Sequence, residues 1–326
     1  MHNSLLFDIS KTLKKIDTGE VNLGASLGKN NLGIFPSLES EKSYLSDQSE
    51  YFSFYLLRTV FRGIYLSVNF LAGGAKCQKE NLYSPSTLLF YSSAFHTLNA
   101  YLAINGRVIV KPVLSKPVLG INQKILQDVS IIAYFNFENK LWSINKIKPK
   151  HTNRWLELIH IFGVRKNDCI PESFKNLFRS LYNPDFYNRI IKNSIFKENY
   201  MDDKEINIET KLKEFLELIA QKRHTSVYNS FGSNPEVVHD IENGDTFSDF
   251  GIDFHSNAFA QFSNEFFEEL LDLTIKLLQN ITIGAESKKA LYQAIYTPSF
   301  DTPVLNLLSM QLQEKIELIK SKIEFD

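Results

Sequence analysis

Residues Ser84–Leu102 read SPSTLLFYSSAFHTLNAYL. Ser84-Pro85 opens this segment as a helix, because proline suits the first helical turn, where its missing N–H costs nothing. The pattern runs to about Ile104, and Asn105-Gly106 closes it. Upstream, a helix is expected from about Asp47 to Ala72, with Gly73-Gly74 as its stop. Its most apolar run, FYLLRTVFRGIYLSVNFLA from Phe54, is interrupted by Arg58 and Arg62. Each arginine would be costly at a bilayer centre, so the run reads as a buried helix with two functional or capping arginines. No membrane association is expected.

Working outward, residues 1–45 read as irregular, with Gly19, Gly24, Gly28 and Gly33 recurring before Pro36. The start, MHNSLLFDISKTLKK, is too short an apolar patch for a signal sequence and carries Asp8, so the expected compartment is the cytoplasm. From Arg107 the period changes. RVIVKPVL reads as a strand interrupted by Pro112, and SIIAYF and LWSINKI flank NFENK as a hairpin. Helical pattern returns in RWLELIHIF and ESFKNLFRSLYN, making 107–204 a mixed segment. A further helix is expected from about Ile208 to Arg223, with Leu212, Phe215, Leu216 and Ile219 at helical spacing. Gln261–Asn280 is amphipathic through Phe262, Phe266, Leu270, Leu273 and Leu277. A last amphipathic helix, about Val304–Phe325, places Leu308, Leu312, Ile316, Ile319 and Ile323 on one stripe. Core packing is the commoner use of such a stripe, and a coiled-coil contact the alternative.

The composition fits this reading. The chain has 326 residues, 44% hydrophobic and 22% charged, which excludes disordered and collagenous classes. A net charge of −1 speaks against binding nucleic acid by bulk charge and leaves room for a local basic patch. The 2 cysteines, Cys77 and Cys169, exclude a disulfide scaffold and a cysteine zinc site. The 26 phenylalanines suggest helices packed through large side chains.

Several stretches carry possible chemistry. Gly24-Ala25-Ser26-Leu27-Gly28 matches a nucleophile-elbow spacing, but no helix follows it; as a phosphate loop it is one residue short. Residues 239–255, HDIENGDTFSDFGIDFH, gather His239, Asp240, Asp245, Asp249, Asp253 and His255 and miss the calcium-loop spacing. They read as a solvated acidic loop, with a metal hydrolase as the distant alternative, and no metal is expected. Residues 140–166 carry Lys140, Lys146, Lys148, Lys150, Arg154, Arg165 and Lys166 against Glu157 alone, with Trp142 and Trp155 between them. Basic residues interleaved with aromatics can hold a phosphodiester chain and stack its bases. Lys146, Lys148, Lys150 and Arg154 are the RNA-binding candidates; the alternative is a charged helix with its tryptophans in the core. In LIAQKRHTSVY, residues 218–228, Arg223 continues an apolar stripe and so requires a carboxylate, a phosphate or several carbonyl partners. On a continuous helix Arg223 and Tyr228 lie about 140° apart, and they converge only if the chain bends or two copies meet.

At this point a family resemblance enters. Ser84–Leu102 resembles the "P…LLFY…FH" helix of the HEPN superfamily, notably its YaaC-like branch, and Arg223-x4-Tyr228 resembles that superfamily's R-x4-H element. The resemblance covers two helices and the bundle they imply and says nothing of the first 45 or last 40 residues; together with the patterns above it gives a mainly α protein, an antiparallel HEPN-like helical bundle with a mixed α/β insertion and a C-terminal amphipathic helix. The corresponding units are an irregular N-terminal segment 1–45, a helical core 46–106 with 205–283, an insertion 107–204 and a helical segment 284–326. It further implies a bacterial defence or toxin system, a homodimer or a partner from the same operon, no cofactor, and RNA or a nucleotide as ligand. If active, such a protein is a metal-independent endoribonuclease. Arg223 would stabilise the charge developing on phosphate while a histidine handles the proton. Tyr228 stands where that histidine belongs, and a phenol of pKa ~10 is a poor base at neutral pH. His224 has the right pKa range at the wrong spacing, and His96 is the other candidate imidazole. The alternative is a non-catalytic HEPN-type subunit or sensor acting through protein assembly.

Overall fold

The computed structural model describes residues 3–20, 49–110, 130–147, 151–162, 170–181, 216, 252–295 and 302–323. The described part is mainly helical, with one small antiparallel sheet. The first helices are α1 (Asn3–Asp17), α2 (Ser49–Lys79) and α3 (Tyr83–Ile104). Three strands follow, β1 (Arg107–Val110), β2 (Ser130–Asn136) and β3 (Leu141–Ile147). Short helices α4 (His151–Leu156), α5 (Leu158–Phe162) and α6 (Glu172–Leu181) come next. The chain is completed by α7 (Ile252–Asn280), α8 (Ala285–Ile295), α9 (Thr302–Leu305) and α10 (Met310–Ile323).

Helices α2 and α3 form the central antiparallel pair. Their interface is lined by small and hydroxylated residues, so the backbones approach closely. Ser67 Oγ donates to the Ser93 carbonyl (3.2 Å) and Ser93 Oγ to the Ser67 carbonyl (2.9 Å), with Thr97 Oγ1 donating to Ser67 Oγ (3.0 Å). This reciprocity satisfies buried hydroxyls that would otherwise be costly. It also corrects the expected stop at Gly73-Gly74, since α2 continues through both residues to Lys79. A Cβ at Gly74 would lie 2.8 Å from the Phe90 ring, and the Gly74 carbonyl accepts from Ser86 Oγ (3.0 Å). Glycine here makes room for the facing helix; it does not end its own. The far end of α3 closes at Asn105-Gly106, as expected.

The N-terminal expectation is corrected as well. Residues 3–17 are helical, and Leu5, Ile9, Leu13 and Ile16 bury one face. Asp8 ties this helix to α2 and to β3: Ser53 Oγ donates to Asp8 Oδ2 (2.5 Å), and so does Trp142 Nε1 (3.1 Å). At its other end Asp17 caps α8, accepting from the backbone N–H groups of Gly284 (3.1 Å) and Ser287 (2.8 Å). Those are orphan donors of a helix start, next to its positive dipole end. Asp17→Ala is expected to cost about 1–2 kcal/mol of unfolding free energy, read as a lower urea midpoint at unchanged m-value.

The hairpin falls where expected. The sheet order is β1-β2-β3, with Val108 opposite Ala133 and Phe135 opposite Trp142. Trp142 packs on Phe52 of α2 (5.5 Å) and edge-on to Phe135 (5.6 Å). Described residues between 107 and 181 pack into the bundle: Trp142, Trp155 and Phe174 belong to one core with the helices. Phe174 meets Phe262 (5.1 Å) and Phe266 (4.9 Å) edge-to-face, which places the phenylalanine-rich composition at the α6–α7 contact. Glu269 fixes the same contact by accepting from Ser173 N (3.1 Å) and Ser173 Oγ (2.8 Å). The C-terminal stripe packs into the core through Leu308, Leu312, Ile316 and Ile319. It comes as two pieces, α9 and α10, rather than one helix, and Lys315 reaches Glu268 (2.9 Å) and Asp272 (2.6 Å) on α7.

Candidate functional site: a cationic and aromatic cluster

The fold brings α4 against the middle of α3, and α2 flanks both. Tyr55, Arg58 and Arg62 recur at helical spacing along α2. From α3 come Phe95, His96 and Asn99, and from α4 His151 and Arg154.

Arg154 is held from two sides. Its Nη1 donates to Asn99 Oδ1 (3.0 Å), and its guanidinium lies 5.2 Å over the Phe95 ring. The Asn99 amide is itself oriented, because its Nδ2 donates to the Phe95 carbonyl one turn back (2.8 Å). His151 stacks on the same Phe95 ring at 4.1 Å. His96 stacks on Phe70 at 5.2 Å and meets Phe95 edge-on at 6.1 Å. Arg58 lies 5.7 Å over the Tyr55 ring, and Arg62 is exposed.

The electrostatics follow from that packing. Burial pushes the His96 imidazole down to about 4, and the charges of Arg62 and Arg154 push the same way. His96 is therefore neutral at pH 7. Burial also lowers Arg154 from its usual value, with Tyr55 acting in the opposite sense. Burial raises the Tyr55 phenol, against the pull of Arg58, Arg62 and Arg154. Among the described residues, no carboxylate bears on His96 or Arg154. The carboxylate of Glu157, just after α4, is bonded to Arg107 at 2.6 Å.

Two residues proposed from separate sequence segments thus meet here: His96, considered as a catalytic imidazole, and Arg154, considered for RNA binding. Arg223, His224 and Tyr228 lie outside the described residues, as do Lys148 and Lys150. From the helix expected over 208–223, Leu216 is described; it is helical and buried. Lys146 sits in β3 opposite Ile131. The Gly24–Lys29 stretch and most of the acidic segment also lie outside, and residues 252–255 of the latter form the start of α7. Among the described residues, no group of three or more His, Cys, Asp or Glu is placed to hold a metal.

Of the two readings of the basic segment, the tryptophans follow the one that places them in the core. Trp142 and Trp155 are 1% and 0% exposed, so neither indole can stack on a base. Trp155 Nε1 donates to the Tyr91 hydroxyl (3.1 Å), which satisfies both groups inside the core. Conversely, sequence reasoning passed over Tyr55 and Asn99. The signal for Tyr55 was its spacing to Arg58 and Arg62; Asn99 becomes meaningful only once Arg154 is seen beside it.

No family model, no curated protein and no solved structure matches this chain. Among the described residues, no helix is long and apolar enough to cross a membrane.

Proposed function

We propose that this chain is a HEPN-like helical protein of a bacterial defence or toxin system that binds phosphate of RNA or of a nucleotide. The observation that supports the reading is the meeting of a neutral His96 and the Arg154 guanidinium at the Phe95 ring, with no described carboxylate among the groups that shift either. A half-buried guanidinium held in a fixed orientation by Asn99 is suited to an oxyanion, because its fork of donors matches phosphate geometry. Arg223 would supply a further cation if the R-x4-Y element faces the same ligand. Cleavage, where it occurs, needs no metal and uses the arginines to stabilise charge on phosphorus.

The test combines binding and turnover. Wild-type protein is expected to bind single-stranded RNA with a salt-dependent affinity; Arg62→Ala should weaken it and reduce the log–log salt slope by about 1, and Arg154→Lys, which keeps the charge but loses the guanidinium fork, should weaken it with the slope nearly unchanged. Neutralising Lys146, Lys148 and Lys150 together tests these lysines in the same assay, where an unchanged slope removes them from the interface. Any RNA cleavage should persist in chelator and vanish in Arg223→Ala. RNA affinity that is indifferent to salt and to both arginine variants overturns the proposal.

A second reading is favoured by one feature, the tyrosine at 228 in the place of a histidine. It makes the chain a non-catalytic HEPN-type subunit or sensor. Stable stoichiometric assembly, as a homodimer or with a product of the same operon and without RNA turnover, is its expected signature.

A further inference from the structure

We propose that Asn99 is the positioning residue of the phosphate-binding guanidinium: its neutral amide turns the Arg154 fork so that the Nε–Nη2 edge is left for one phosphate of the ligand, without cancelling the charge. This rests on the phosphate-binding reading above and assigns the contact to one edge of one side chain.

A second arginine of the same fold supplies the comparison. Arg107 and Arg154 are both half-buried, and each lies over an aromatic ring, Arg107 at 5.3 Å from the Tyr134 centroid and Arg154 at 5.2 Å from that of Phe95. Arg107 spends its Nε and Nη2 on Oε2 of Glu157, at 3.0 and 2.6 Å. Its charge is offset inside the protein, and the pair is structural. Arg154 is treated differently. It donates from Nη1 to the Asn99 amide oxygen at 3.0 Å, and among the described residues its Nε and Nη2 have no partner. Neither is among the buried side-chain atoms that lack a partner, so this edge reaches solvent. The edge that grips a carboxylate in Arg107 is thus open in Arg154.

The carboxylate closest in sequence is withheld. Glu157 stands three positions after Arg154, the spacing of an i,i+3 ion pair, yet it is committed to Arg107. What Arg154 receives instead is an amide that is itself fixed. Asn99 Nδ2 donates to the Phe95 carbonyl (2.8 Å), which settles the amide's orientation and turns Oδ1 toward the arginine. A carboxylate at position 99 would reach the same Nη1 and neutralise the guanidinium. The amide accepts one hydrogen bond, leaves the net charge intact, and removes rotamer freedom that binding would otherwise have to freeze. Two parallel donors on a fixed planar fork match two oxygens of one phosphate.

The experiment measures binding of a short oligouridylate to the full chain across a salt series, together with urea midpoints. Arg154→Ala sets the scale, with a log–log salt slope lowered by about 1. Asn99→Ser is too short to reach the guanidinium and keeps the charge. Its affinity should fall about two- to tenfold, the cost of ordering one long side chain, at unchanged slope. Asn99→Asp should lose about 1 from the slope and bind more weakly than Asn99→Ser. Its urea midpoint should nevertheless lie above that of Asn99→Ser, because the new ion pair stabilises the fold as it removes the available charge. Stability and binding then run in opposite order across the two variants, which a purely structural asparagine would not produce. If Asn99→Asp fails to fold, Asn99→Ser decides alone: weaker binding at constant slope upholds the inference, and wild-type affinity overturns it. Asn99→Asp binding as well as or better than Asn99→Ser also overturns it, and a slope that still falls in Arg154→Ala leaves the phosphate-binding reading standing. Absence of salt-dependent binding by the wild-type chain overturns both.

Discussion

Trp155→Ala should lower the unfolding free energy by about 3–5 kcal/mol, a large share of the roughly 5–15 kcal/mol that holds a typical domain together. Trp155 is fully buried, with Tyr91, Phe174 and Phe262 each 6.3 Å away between ring centroids. Truncation removes that area and opens a cavity that four elements would have to fill. It also strips the Tyr91 hydroxyl of its indole donor. Trp155→Phe is the milder change, since it keeps a buried aromatic ring while losing the N–H and part of the indole's volume; about 1–3 kcal/mol is expected. Urea denaturation followed by circular dichroism reads both. The result distinguishes the core role from the base-stacking role that the basic segment suggests. A stacking tryptophan would leave the urea midpoint in place and remove RNA affinity, and that outcome would sink the core assignment.

The parts of this architecture that sequence reveals are those decided locally. Helix α3 is bracketed by Pro85 and Asn105-Gly106, and the hairpin by its NFENK turn, so both can be read within a few residues of where they lie. The parts it conceals are decided by a neighbour. Gly73-Gly74 looks like a stop because glycine is a poor helix former; only the Phe90 ring opposite shows that the missing side chain is the point. Helix α1 carries Leu5, Ile9, Leu13 and Ile16 at helical spacing, yet the glycines that follow pull the reading toward irregular chain. The site divides in the same way. His96 and Arg154 can each be picked out by residue type and context, from a tyrosine-rich helix and a basic run 58 positions apart. That they share the Phe95 ring depends on α4 docking against α3, and that docking is driven by Trp155, a residue whose value as core is invisible in a string of charges.

Asp8→Ala should be comparably damaging, at about 2–6 kcal/mol, although it removes only one carboxylate. Ser53 and Trp142 are buried at 0% and 1%, and both donate to the same oxygen, Asp8 Oδ2. Without it two buried donors lose their acceptor at once, and each orphaned donor costs about 1–3 kcal/mol. The shared oxygen makes a sharper prediction. Asp8→Asn can present its amide oxygen at the same point and accept from both donors, so it should forfeit only the charge assistance and cost much less than alanine. A thermodynamic cycle with Ser53→Ala completes the argument. Removing the serine hydroxyl costs stability in the wild-type chain, but in the Asp8→Ala background it deletes an unsatisfied group and should be neutral or stabilising. If the two losses simply add, the carboxylate is not the acceptor that joins α1, α2 and β3. If they couple, one aspartate in the first helix fixes the sheet against the α2–α3 pair and with it the frame on which Phe95 meets His151 and Arg154 of α4.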